Sequence, residues 1–263
     1  MQAYLYVMKM RILTSLAYRF EVFATIGTNL FLLLATIFLW KSAYSGIPSV
    51  ESLNQNQMVT YAILSSLLAG LFTCNVDNMI NQRIREGQVA IDLIKPIRLL
   101  GYYLAEDIGS SVSSLLNKVL PLFVFSAIFF QLPVPASFTA FLLFVVSCAL
   151  SFSILWLLSA LTGLTAFWVM ELGNMGNVKD AFVRVLSGSL VPMWFFPQSV
   201  QTVSAFLPFQ YTYQTPLGIY IGKLSQTEAL RALGIQAVWV LLFAALVAVV
   251  WRKAKRSTMI QGG

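Results

Sequence analysis

The stretch FTAFLLFVVSCALSFSILWLLSALTGLTA, residues 138–166, contains no charged side chain. A bilayer core calls for about 20 apolar residues in a helix, whereas a helix on a soluble protein keeps a polar face towards water. This segment is therefore read as a membrane span. Pro133 and Pro135 in the preceding turn QLPVPAS stop the helix before it, because proline lacks an amide proton and clashes with the previous turn. Working outward on the same criterion, spans are expected at about 20–43, 58–76, 103–130, 138–166, 181–195 and 229–250. The fold class is an all-α integral membrane protein with six transmembrane helices in one domain, residues 1–263.

Composition agrees with that reading. Of 263 residues, 58% are hydrophobic and 10% charged, against roughly 25% charged in soluble domains. A soluble globule of this size could not cover so much apolar surface. The first 19 residues carry Lys9, Arg11 and Arg19 among apolar positions, the pattern of a helix lying in the membrane interface. A cleaved signal peptide fits less well, because the apolar core after it, Phe20 to Trp40, is too long and lacks a small-residue cleavage site.

The net charge of +7 is topological. Of the 17 lysines and arginines, all but Lys41, Lys118, Lys223 and Arg231 fall in segments on one side of the six-span arrangement, which the positive-inside rule makes the cytoplasmic side. Both termini are then cytoplasmic. The charges form no stripe and accompany no nucleic-acid-binding motif, so no nucleic-acid partner is expected.

Most enzyme chemistry is excluded on residue types. Histidine is absent, which removes the commonest metal ligand and general base. The two cysteines, Cys74 and Cys148, lie inside apolar segments and make no convincing metal site. The only Gly-Lys pair, Gly222-Lys223, is followed by Leu224, so no phosphate-binding loop is present. No catalytic residue, metal or bound cofactor is expected in this chain.

Two segments carry functional information. The loop 83–97, within NQRIREGQVAIDLIKPIR, mixes Val89, Ile91, Leu93 and Ile94 with Arg83, Arg85, Glu86, Asp92 and Lys95. A short helix with an apolar patch and a charged rim suits docking to a soluble partner, while a helix resting on lipid headgroups would look similar. The outer segment, residues 196–228 with the approach from Pro192, places Pro192, Pro197, Pro208 and Pro216 beside several aromatics. It reads as short helices dipping into the outer leaflet, tolerated where protein buries the backbone. Composition does not separate a gate from an aromatic belt. Within the third span, Glu106, Asp107 and Lys118 form a possible polar lining, with interhelical pairing or snorkelling as the structural alternative.

Taken in order, several short matches resemble one family. They are Ile84-Arg85-Glu86-Gly87 with Leu93 and Pro96, Phe167-Trp168, and Leu186-Ser187-Gly188 with Pro192. Further on come Phe195-Phe196-Pro197, Leu207-Pro208-Phe209, Pro216, Gly222 and Gly262-Gly263. Nearly end to end, the chain is similar to the permease of type-2 ABC transporters, in the small group with paired permease genes. The resemblance implies cytoplasmic ABC ATPase subunits as partners, with ATP and Mg bound there, and a second permease chain, identical or homologous. It also implies that Arg85, Glu86, Gly87, Asp92, Leu93 and Pro96 belong to a coupling helix between spans 2 and 3. Pro192, Phe195, Phe196, Pro197, Pro208, Phe209 and Pro216 would form outer re-entrant helices that gate the exit. The expected activity is ATP-driven export of an amphiphilic or hydrophobic compound from the inner (plasma) membrane. A secondary transporter or channel working without ATP, and a scaffold without transport, are the rival readings.

Overall fold

The computed structural model describes residues 2–17, 19–94, 98–135, 137–169 and 172–261. Apart from one two-stranded hairpin, Ser49–Val50 paired with Leu53–Asn54, the described residues form helices and short connections. Among the described residues, five helical stretches are long and apolar enough to cross a membrane: Val22–Ala43, Gln55–Arg85, Leu99–Phe130, Phe138–Val169 and Gln226–Lys255.

The N-terminal helix α1 (Gln2–Ala17) lies along α6 (Leu99–Ser114). The approach is close because α6 presents Gly101 to the Tyr4 ring and Gly109 to the backbone of Met8. Arg11 donates to Ser110 at 3.1 Å. Next comes α2 (Arg19–Ala43), which leaves Phe20, Phe23, Phe31 and Phe38 exposed. It packs on α3 (Gln55–Leu71), which Asn54 starts with a reciprocal capping box to Gln57. Buried on nearly every side, α3 is the central helix.

The predicted second span, 58–76, is not one helix. α3 stops at Leu71, and the chain runs irregularly to Asn75 before α4 (Val76–Arg85) begins. The break persists because α6 supplies polar partners in a row. Ser114 donates to the Gly70 carbonyl at 2.6 Å, Ser111 lies 2.9 Å from the Thr73 hydroxyl, and Asp107 accepts the Asn75 amide at 3.1 Å. Backbone groups released by a helix break inside a membrane must find such partners. Beyond α4, Gly87 turns the chain at φ +68° into α5 (Val89–Ile94).

The third span starts earlier than expected, at Leu99. It passes through a π-helical turn, Leu115–Val119, into α7 (Leu120–Phe130). The fourth is α8 (Phe138–Leu164), extended by the short α9 (Ala166–Val169).

The fifth span was expected at 181–195. The helix here is α10 (Met175–Leu186), only 12 residues long, or about 18 Å. Gly176 and Asn177 belong to this helix. Gly176 sits where an added Cβ would lie 3.3 Å from Asp77 Oδ2, so it is a packing position. At its C-terminal end the chain leaves the helix through Gly188 at φ +80° and does not continue to residue 195 as a span. The outer segment follows as a 3₁₀ turn (Met193–Phe195), α11 (Gln198–Ala205), a second 3₁₀ turn (Phe209–Tyr211) and α12 (Gln214–Tyr220). The last helix, α13 (Gln226–Gln261), outruns the predicted 229–250 at both ends and packs along α8.

Candidate functional site

A half-open cavity of about 620 Å³ lies between α2, α3, α8 and α10. Its lining includes the polar side chains Asn29, Thr36, Ser65 and Ser66 and the apolar ones Leu32, Leu33, Leu155, Leu158 and Val183. The irregular Phe72–Asn75 segment forms part of the wall, and Lys179, Asp180 and Arg184 of α10 add charge. Glu106, Asp107 and Lys118 do not line it. Asp107 is 1% exposed and acts as the acceptor for the Asn75 amide. Lys118 sits in the π turn with its methylenes against Gly70, and Glu106 is half-buried on α6.

A buried ion pair stands where the cavity meets the segment leading to α5. Lys179 Nζ lies 2.7 Å from Asp77 Oδ2, with side-chain exposures of 9% and 3%. The same ammonium donates to Ser159 Oγ at 2.7 Å and lies 3.2 Å from Asp180. Two charges out of water need each other and further hydrogen bonds, and Ser159 provides one. The pair joins α4 to α10 on the surface of α8. Gly163 lets α4 in: a Cβ there would fall 2.8 Å from the Asp77 Cα. Sequence reasoning singled out neither Asp77 nor Lys179. They are 102 residues apart, and no local pattern relates them.

The expected coupling residues are divided by the fold. Val89 is buried, and Asp92 turns inward, 4% exposed, to lie 3.6 Å from Arg83. Asp92 is thus part of the internal support of the loop and not of a charged rim. Arg83 also donates to Gln88, and Gln82 to Glu86 at 2.7 Å. What α5 presents outward is Ile91, 62% exposed, and Ile94, 84% exposed. Arg85 ends α4, Glu86 caps it and Gly87 makes the turn. The Leu93 side chain and Pro96 lie outside the described residues.

At the other end, the irregular outer backbone is held by side chains from three long helices. Tyr61 donates to the Gly188 carbonyl at 2.7 Å and Ser65 to the Ser189 carbonyl at 2.6 Å. Gln236, fully buried in α13, donates to the Tyr211 carbonyl at 2.6 Å and to Ser151 at 3.1 Å, and accepts from Ser147 at 3.1 Å. Pro192, Pro197 and Pro208 each precede a short helix, and Pro216 lies in the first turn of α12. Pro192, Pro208 and Pro216 are buried, and Phe196 and Phe209 are half-buried. Phe195 packs on Trp40 of α2 at 5.9 Å between ring centroids. Gln236→Leu should lower stability by about 1–2 kcal/mol and make the 206–213 segment more accessible to protease, measured by thermal unfolding and limited proteolysis of the purified chain.

A family model described as ABC-2 family transporter protein matches residues 30–262. The chain belongs to this family. Among curated proteins, none matches it. As an ABC-2 family transporter protein it is a multi-pass membrane permease, the transport subunit of an ABC system that pairs with ABC ATPase subunits.

Proposed function

We propose that this chain is half of the membrane pathway of an ATP-driven exporter, with ATP and Mg bound and hydrolysed in a separate cytoplasmic subunit. The chain itself contributes no catalytic residue and holds no metal or cofactor. The observation that carries the reading is the continuous link from α5 to the cavity. Exposed Ile91 and Ile94 offer an apolar docking point, and α4 leads back from it to Asp77, which is bonded to Lys179 on the cavity wall. Closure of the ATPase would displace α5, and α4 would carry that displacement to α10. That is a two-state element biased by a ligand bound elsewhere.

A second permease chain, identical or homologous, would close the open side of the cavity. The exposed stripe Met175, Val178, Phe182 and Val185 on α10 supports an apolar partner there. In this reading the short α10 and the outer helices together make the fifth of six crossings. The cationic segments keep both termini cytoplasmic in the inner (plasma) membrane, and α1 lies at the interface. The mixed polar and apolar lining of the cavity favours an amphiphilic or hydrophobic substrate, released past the Pro192–Pro216 cap.

The test is co-expression with the neighbouring genes, purification of the assembly and assay of flux in proteoliposomes. ATP-dependent flux that needs the co-purified ATPase is expected, and flux from the chain alone would overturn the proposal. In the same preparation, joint replacement Ile91→Asp and Ile94→Asp should reduce recovery of the ATPase about tenfold, the effect of about 1.4 kcal/mol in binding. Membrane insertion should be unchanged.

A further inference from the structure

A second cavity, of about 590 Å³, is separate from the proposed pathway and lies between the start of α6, the inner part of α8 and the end of α13. Its lining sorts by depth. Arg98, at the N-cap of α6, and Lys255, near the end of α13, are exposed and line it where these helices meet the cytoplasmic interface. Deeper lie Leu104 and Trp156, about 8 Å beyond the first residue of α6 and about 12 Å inside the last residue of α8 at 1.5 Å per residue. Trp251 lies beside Lys255, whose ammonium is 5.0 Å from the ring centroid. The one carboxylate in the lining, Asp92, is turned to Arg83 at 3.6 Å, so its charge is matched within the loop. The cavity therefore presents two cations at headgroup level above a leucine- and tryptophan-lined interior.

We infer that this cavity binds one acidic glycerophospholipid of the cytoplasmic leaflet, with its phosphodiester at Arg98 and Lys255 and its upper acyl carbons against Leu104, Trp156 and Trp251. Both parts of the ligand are required by the lining. A free phosphate would satisfy the cations and leave the apolar depth unfilled. A zwitterionic lipid would fill the depth but offer the cations no net charge. The uncapped first turn of α6, whose Leu99, Leu100 and Gly101 also line the cavity, adds the positive end of a helix dipole to the same place. Because Asp92 belongs to both this lining and the internal support of α5, bound lipid would brace the docking helix.

The test uses the full chain in nanodiscs, with phosphatidylglycerol or phosphatidylcholine carrying brominated acyl chains, which quench tryptophan on contact. Brominated phosphatidylglycerol should give a saturable quenching component that brominated phosphatidylcholine does not, and Trp251→Phe should diminish it. Each cation near an anionic lipid contributes about fivefold, so Arg98→Gln with Lys255→Gln should raise the half-saturating lipid fraction about 25-fold. Equal quenching by the two lipids would overturn the inference, and that comparison needs only the native chain should the double variant fail to fold. Displacement of the lipid by soluble glycerophosphate would overturn it in favour of a free phosphate ligand. Unchanged quenching with loss of the co-purified ATPase in the double variant would overturn it in favour of a protein-docking surface.

Discussion

Lys179→Met should be among the most damaging single substitutions in this chain, with a loss of roughly 3–5 kcal/mol in stability. The methionine fills similar volume but leaves Asp77, 3% exposed, without its ammonium. Ser159 loses its donor at the same time. The variant should unfold at markedly lower temperature in detergent than the parent. Replacing both partners, Asp77→Asn with Lys179→Met, should recover much of that loss, because the penalty comes from the stranded charge and not from the missing attraction. A double variant as unstable as the single one would show that the pair acts through packing alone. Function separates from stability here. The double variant should bind the ATPase yet couple its hydrolysis to flux poorly, since the bond between α4 and α10 is gone.

Gly163→Val is the second large effect. A side chain at residue 163 meets the Asp77 backbone at 2.8 Å and the tip of Ile80 at 3.1 Å. Ile80 can adjust, but the backbone of α4 moves only with the whole helix. Overpacking of this kind costs about 1–3 kcal/mol, and the upper end is expected because the obstructing atom is main chain. The displacement also pulls Asp77 from Lys179, so the substitution should weaken coupling as well as thermal stability. Gly163→Ala should show the same direction with a smaller shift. Thermal unfolding of the two variants beside the parent, with ATP-driven flux in the same vesicles, measures both effects.

Several features of this molecule were legible without coordinates because lipid imposes a simple rule on composition. Uncharged stretches long enough to cross the bilayer become helices, so α2 and α8 fall close to where their residues place them, and α13 contains the expected 229–250 and extends past it. The proline-rich outer segment reads as broken structure because proline is excluded from helix interiors and tolerated only in the first turn. The loop carrying α5 was legible as a charged interruption between spans, but the facing of its side chains was not. Asp92 and Ile94 are two residues apart on one short helix, yet one is buried against Arg83 and the other is 84% exposed. That division depends on what lies beneath the helix.

The sequence by itself determined that the chain is a helical membrane protein and which stretches of it are apolar enough to cross. These follow from the one-dimensional match between apolar length and bilayer thickness. Only the tertiary structure decided where α3 breaks, why α10 starts at Met175, which polar side chains hold the outer backbone, and that Asp77 meets Lys179. Each of those depends on partners far apart in the chain: Asp107 for Asn75, Asp77 beside Gly176, Gln236 for Tyr211. A polar group inside a membrane is stable only with its partner, and packing in three dimensions chooses that partner.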